Sequence, residues 1–428
     1  MTHFAVIAPP YLSHLRAFEA IAWQLIQRGH RVTFIQQADV GPLLALPEAG
    51  FAPIGADSHP PGTLAAVVRR AARPGPFGIR RVIADMAGST ELFCREAPAR
   101  LNDLQAEAVL ADQMEPAGAL VAEHLGLPFV SVACALPFNR EPLMPLPVMP
   151  WRYQATSWGE QLNLHSSRVY DRLMRPHAQV IEHYCRAFGL ASRSTLSECL
   201  SPRLQISQTV ACFDFPRRQL PPNFHAVGPL RRPLQADAEL NLAIDPARPF
   251  VFASLGTLQG HRYALLRTIA RACKPLGVQL LIAHCGGLNA AQAARLHQEG
   301  AQWVTDFAPQ RAALARAAAV ITHAGLNTAL DALEAGVPML ALPIAFDQPG
   351  VAARIEHAGV GLRLYPRLAS PARIGQALQR LLGEAGFRER TAQLGAEVRL
   401  AGGAARAADL IEAALGCDQH LPEVSGGA

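Results

Sequence analysis

The chain has 428 residues, half of them hydrophobic, with 39 Lys plus Arg against 34 Asp plus Glu, a formal charge of +5. That length suits two domains of about 200 residues each rather than one core. So small a positive excess, with no basic tract and no patch of interleaved aromatics, excludes a nucleic-acid partner. No apolar run reaches the ~18 residues of a membrane span, and the opening MTHFAVIAPPYLSH lacks the regions of a signal peptide. The eight cysteines form no CxxC and no zinc spacing, which points to buried free thiols and a cytoplasmic setting.

In chain order, FAVIAPP (4–10) predicts a first strand. Ser13 is placed to cap a helix whose apolar positions Leu15, Phe18, Ile21, Ala22, Leu25 and Ile26 recur at helical spacing, and Gly29 ends it. RVTFIQ (31–36), AVLAD (108–112) and LPFVSVA (127–133) read as further strands, the last two flanking the helix EPAGALVAEHLG. From Asn139 to about Gln161 the rhythm breaks into NREPLMPLPVMPWRYQATSWGEQ, proline-rich with two tryptophans and a tyrosine, which reads as a pocket lining or lid.

Residues 229–249, with four prolines, both charge signs and no strand signal, form the expected linker, dividing a first domain (1–228) from a second (250–416). The strand and helix alternation then restarts through FVFASLG, QLLIAHCG, QWVTDF, AVITH, VPMLALP and GVGLRLY. Strands alternating with helices in both halves predict two doubly wound α/β domains on parallel sheets. Residues 417–428 read as a frayed tail. The arginine pairs Arg69-Arg70, Arg80-Arg81 and Arg217-Arg218 read as solvated faces, with contact to anionic lipid as the other reading.

In doubly wound sheets ligands sit outside the carboxyl ends of the strands. AVITH delivers His323 to that edge, Gly325 permits a tight turn, and Asn327 and Thr328 stand at the first turn of the next helix beside free backbone N–H groups. That is an anion site in outline, although Asn and Thr are ordinary helix caps as well. Ser254, Gly256 and Thr257 end another strand at the same edge. Asp347 and Gln348 end a third; a carboxylate and an amide together accept from and donate to vicinal sugar hydroxyls. In the first half, His14 sits at the start of a helix, where the dipole favours a neutral imidazole, and Asp112 ends a later strand.

The runs FAPQ (307–310), HAGLNTALD (323–331) and GVPMLALPIAFDQ (336–348) resemble, in order and interval, the signature of the nucleotide-sugar-dependent glycosyltransferases of family 1, which have the GT-B fold: two Rossmann-like domains facing each other across a cleft. The resemblance covers essentially the whole chain. It implies that His323 contacts a donor phosphate, supported by Asn327 and Thr328, that Asp331 holds the ribose hydroxyls, and that Gln310 positions the nucleoside. It further implies that Phe307 stacks on the uracil, that Asp347 and Gln348 read the sugar, and that His14 is a general base oriented by Asp112. Phe307, Thr328 and Asp331 stand where the family usually has Trp, Ser and Glu.

Within the family, the overall sequence, including APPYLSHLRAFEAIAWQLIQRGHRVTF, is similar to the zeaxanthin-glucosylating members of bacterial carotenoid pathways. That similarity implies UDP-glucose as donor, zeaxanthin as acceptor, inversion at the anomeric carbon, no resident metal, and peripheral contact with a membrane. Another apolar hydroxylated acceptor (a macrolide, sterol or polyphenol) stays open, as does a non-catalytic nucleotide-sugar-binding subunit.

Overall fold

The computed structural model describes residues 1–73, 78–232 and 239–416. In chain order the first half comprises β1 (His3–Ile7), α1 (Leu12–Gln27), β2 (Arg31–Gln37), β3 (Gly50–Ile54), α2 (Thr63–Ala72), α3 (Gly78–Asp103), β4 (Ala108–Asp112), α4 (Ala117–His124), β5 (Phe129–Ala133), α5 (Ser157–Leu173), α6 (Arg175–Ala187), β6 (Gln205–Ser207) and β7 (Phe224–Ala226). The second half comprises β8 (Phe250–Ser254), α7 (Gly256–Gln259), α8 (Tyr263–Cys273), β9 (Gln279–Ala283), α9 (Ala290–Glu299), β10 (Trp303–Thr305), α10 (Gln310–Arg316), β11 (Ala319–Thr322), α11 (Leu326–Glu334), β12 (Met339–Ala341), α12 (Gln348–His357), β13 (Gly361–Arg363), α13 (Pro371–Gly383), α14 (Ala385–Leu400) and α15 (Gly403–Leu415).

Two all-parallel sheets result, ordered β3-β2-β1-β4-β5-β6-β7 and β10-β9-β8-β11-β12-β13. Each strand feeds one core per face. Phe4 and Val6 enter one cluster and Ala5 and Ile7 another, and Phe250 and Phe252 separate from Val251 and Ala253 in the same way. Burial on both faces is why these strands read as continuous apolar runs. The strands missed from sequence are β3, β6 and β7. β3 carries Pro53, tolerated because it is an edge strand, and β6 and β7 have three residues each, too short for a pattern.

Three expectations change. The second domain ends before 416, because α15 returns to the first: Ala404, Ala407, Ala408 and Ile411 join the core of Phe18, Ile21 and Leu25. Arg28 and His30 pin that helix through Glu412, at 2.5 and 2.9 Å. The proline-rich excursion is not a lid over an open pocket. It docks on α12 of the second domain, with Pro147 against Gly350, Met144 beside Ala353, Arg152 on Glu356, and the Pro150 carbonyl accepting from Arg363 at 2.6 Å. Arg217 is no solvated face either; with Arg354 it holds the buried Asp214. Linker residues 233–238 and the 417–428 tail lie outside the described residues.

Candidate active site

Both sheets reverse strand order at one place, between β1 and β4 and between β8 and β11. Loops leaving a switch point diverge and open a crevice at the strand ends. Each predicted cluster straddles one: His14 follows β1 and Asp112 ends β4, while Ser254 ends β8 and His323 follows β11.

On the first domain, Tyr11 occupies the cap position of α1. Ser13, the expected cap, lies inside the first turn and makes no capping bond. His14 is therefore the third helical residue, and its Nδ1–H donates to Asp112 Oδ2 at 2.6 Å. Asp112 Oδ1 accepts from the Met114 amide at 2.8 Å, so the carboxylate is fixed from both sides. The two residues are 8% and 1% exposed. This contact places the ring proton on Nδ1 and leaves the Nε2 lone pair as a base. Burial pulls the His14 pKa down, but attraction and hydrogen bonding by Asp112, with the charge of Asp347, outweigh it and leave the pKa raised. The raised pKa runs against the lowering expected from the helix dipole. The Tyr11 ring lies 6.0 Å from that of His14 and 6.5 Å from Phe346 of the second domain, so it bridges the cleft.

Sequence reasoning missed the polar chain behind this dyad. Glu115, buried, accepts from Ser89 at 2.8 Å and from Thr90 at 2.7 Å, and Thr90 meets His177 Nε2 at 2.9 Å. Burial pushes the Glu115 carboxyl up to about 7 and His177 down to about 4. Glu115 stands three residues after Asp112, but nothing in ADQMEP marks it as buried. His177 also lines a cavity of about 450 Å³ with Phe138, Tyr170 and Ile181, which does not include His14 or Asp112.

Cys134 completes a group with His14 and Asp112 whose donor atoms lie within 4.8 Å of one another. As a metal site it is poor. His14 and Asp112 are spent on each other, and burial raises the Cys134 pKa, disfavouring the thiolate that a cation needs.

On the second domain, the His323 ring lies between two glycines. A Cβ at Gly256 would stand 2.6 Å from its Cε1, and one at Gly325 would stand 2.5 Å from its Nε2. Gly256 also needs its positive φ of 75°. Ala324, between His323 and Gly325, takes a left-handed φ of 64°, and Phe346, before Asp347, one of 57°. Such backbone is costly for residues with a Cβ and collects at functional sites. Desolvation holds the His323 pKa near about 4, so the ring is a neutral N–H donor. Its Nδ1 is buried without a hydrogen-bond partner among the described residues.

Around this cradle, Thr257 is exposed, Asn327 is partly exposed and Thr328 is buried at the start of α11. Thr328 Oγ1 donates to Gln310 Oε1 at 3.2 Å, and Gln310 Nε2 donates to Asp331 Oδ2 at 2.6 Å. The other Asp331 oxygen accepts from Arg231 at 3.0 Å, and Arg231 also reaches the Asn327 side chain at 3.3 Å. Arg231, in the linker, was not foreseen; the pair Arg231-Arg232 in PLRRP offers no local signal. It extends the linker to the shortened carboxylate at 331. Phe307 is 69% exposed, its ring open to a flat partner. Trp303 instead packs on Phe250, edge to face at 6.1 Å.

Gln348, buried, accepts at Oε1 from the Ile344 and Ala345 amides at 2.9 and 2.8 Å. Asp347, at the cap position of α12, makes no capping bond, and burial raises its pKa, opposed by the Leu136 backbone and His14 of the facing domain. His14 and the second domain's Asp347 are thus electrostatically coupled across the cleft.

Residues 83–396 match the family described as UDP-glucoronosyl and UDP-glucosyl transferase. The chain is 48% identical over 429 residues to the zeaxanthin glucosyltransferase of Pantoea ananas, covering 100% of this chain and 99% of the relative. It is 45% identical over 420 residues to that of Pseudescherichia vulneris, covering 97% and 98%. Among solved structures it resembles the glycotransferase of kitacinnamycin (TM-score 0.76, 20% identity, 97% of this chain and 99% of that one). It also resembles CalG4, the calicheamicin glycosyltransferase (TM-score 0.74, 21% identity, the same coverage). Likeness at that identity establishes the GT-B fold.

Proposed function

The chain belongs to the UDP-glucoronosyl and UDP-glucosyl transferase family, and on that footing we propose that it transfers glucose from UDP-glucose to the hydroxyl groups of zeaxanthin, giving the mono- and then the di-β-glucoside. The observation that carries the chemistry is the 2.6 Å contact between His14 Nδ1 and Asp112. It leaves Nε2 to take the proton from an acceptor hydroxyl as that oxygen attacks the anomeric carbon. Asp112 stabilises the imidazolium that forms. The bond from the anomeric carbon to the diphosphate breaks as the new one forms, and one displacement inverts the centre.

The leaving diphosphate is met by the neutral His323 ring, Thr257, Thr328, Asn327 and the N–H groups at the start of α11. In this reading no metal enters the reaction. Phe307 takes the uracil face, Asp331 and Gln310 the nucleoside, and Asp347 and Gln348 the glucose hydroxyls. Support for glucose and for zeaxanthin comes from the two relatives that carry that name over nearly their whole length. Peripheral contact with a membrane belongs to the same reading, since so apolar an acceptor resides there. No helix among the described residues is long and apolar enough to cross one.

The test is a product assay with purified protein, UDP-glucose and zeaxanthin in detergent micelles, resolved by mass. Sequential gain of one and then two hexoses is expected. No product with zeaxanthin, alongside hexose transfer to a macrolide or sterol, would keep the enzyme and replace the acceptor.

A further inference from the structure

Helix α5 turns an apolar stripe to solvent. Trp158, Val169 and Leu173 are 62%, 60% and 42% exposed. With Leu162 and His165 they recur at helical spacing, so five side chains share an arc of about 80° along a helix of about 25 Å. Single exposed apolar residues are common, but an aligned set led by a tryptophan is not. The inner face is accounted for, with Gly159 and Asn163 buried against the domain.

Charge on this helix is distributed one way. Arg168 and Arg172 stand exposed along one edge of the stripe, and Arg175 follows at the start of α6. None of the three has an ion-pair partner among the described residues. The acids Glu160 and Asp171 fall on the far side of the helix, and Asp171 is committed to Arg140 at 2.5 Å. Of the arginine pairs that the sequence brought forward, Arg70 is engaged with Asp85 and Arg217 with Asp214, while Arg69, Arg80, Arg81 and Arg218 stand exposed.

An apolar stripe led by tryptophan, with unpaired arginines on one edge and acids turned away, matches a helix lying in the plane of a lipid interface. We propose that the α5 face formed by Trp158, Val169 and Leu173, edged by Arg168 and Arg172, is the surface by which this protein docks on an anionic lipid bilayer. The aliphatic and indole groups enter the headgroup boundary, and the guanidinium groups meet lipid phosphates. The surface names where the peripheral contact is made and does not rest on the identity of the acceptor, so failure of either reading leaves the other standing.

The experiment is flotation of the full-length protein with vesicles of phosphatidylcholine alone and of phosphatidylcholine with phosphatidylglycerol, at low salt. Binding to the anionic vesicles is expected to be at least about tenfold stronger. The pair Val169→Glu with Leu173→Glu should abolish flotation. Arg168→Gln with Arg172→Gln should reduce anionic binding to the neutral level. Glycosyl transfer in detergent micelles should be unchanged in both, which shows the variants are folded. Absence of flotation, or flotation indifferent to both pairs, would overturn the proposal. So would a wild-type dimer that the stripe variant converts to monomer without any vesicle binding, since a second copy would then be the occupant.

Discussion

At the scale of single residues, what matters is where protons rest. His14 has a raised pKa because Asp112 and Asp347 outweigh burial, so the neutral base is lost on the acid side at a pH above that of an ordinary histidine. Asp112→Asn removes the chief attraction. Turnover should fall by about 10²-fold or more, and the acid limb of the remaining kcat/KM profile should move to lower pH. A rate–pH series on both proteins checks this; an unmoved limb would separate Asp112 from the titration. Glu115 provides an independent test. Its folded pKa of about 7 exceeds the ordinary carboxylate value, so its contribution to stability is complete below that value and is lost as pH rises through about 7. Glu115→Gln keeps the neutral form at every pH, and the Ser89 hydroxyl can turn to accept from the amide. The variant should match wild type near pH 5 and exceed it by roughly 2–3 kcal/mol at pH 8, read by denaturant unfolding at each pH.

At the scale of elements, the two switch points do the positioning. β11 and α11 are joined by a turn that holds His323 between Gly256 and Gly325, with Ala324 in a left-handed conformation. Gly325 has an ordinary negative φ, so its requirement is space rather than backbone freedom. Gly325→Ala should displace the imidazole and weaken UDP and UDP-glucose alike, by about tenfold or more, because both carry the diphosphate. Calorimetric titration with each nucleotide checks this. Selective loss of UDP-glucose alone would move His323 from the phosphate to the sugar.

At the scale of the whole molecule, the ties between the domains include the linker, the proline-rich excursion on α12, and α15 on α1. The excursion's seat is built around a buried ion pair. Arg354, with no exposed surface, meets Asp214 at 2.6 Å and lies 4.2 Å over the Phe215 ring. Burial opposes ionisation of Asp214, but Arg354 and Arg217 hold its pKa at about 2. That stability is present above the ordinary carboxylate pKa and is lost only as pH falls through about 2, so the clamp survives mild acid. Asp214→Asn leaves the buried Arg354 guanidinium without a carboxylate partner among the described residues, while Arg217 keeps Glu141 at 3.5 Å. It should cost about 3–5 kcal/mol, seen as a lowered denaturant midpoint at neutral pH, whereas Arg354→Met should cost less because Asp214 retains Arg217.

Strand positions were legible because parallel strands buried on both faces must be apolar throughout, as in FVFAS and AVIT. The candidate donor-site residues were legible because HAGLNTALD and GVPMLALPIAFDQ are contiguous: one turn between strand and helix fixes the spacing of everything in it. Arg231 and the chain of Glu115, Thr90 and His177 were not, since their partners lie 25 to 100 positions away in sequence. Nor could a local pattern show that α15 closes the first domain, or that prolines 147 and 150 seat a helix of the second. The sequence by itself determined the two parallel sheets and the spacing of the donor turn, and only through the family resemblance did it point to His14 as the candidate base and Asp112 as its partner. Only the tertiary structure decided the protonation of that base, the grip of Arg231 on Asp331 and the seating of one domain on the other. Charge coupling and burial depend on distances through space, and chain order does not set those distances.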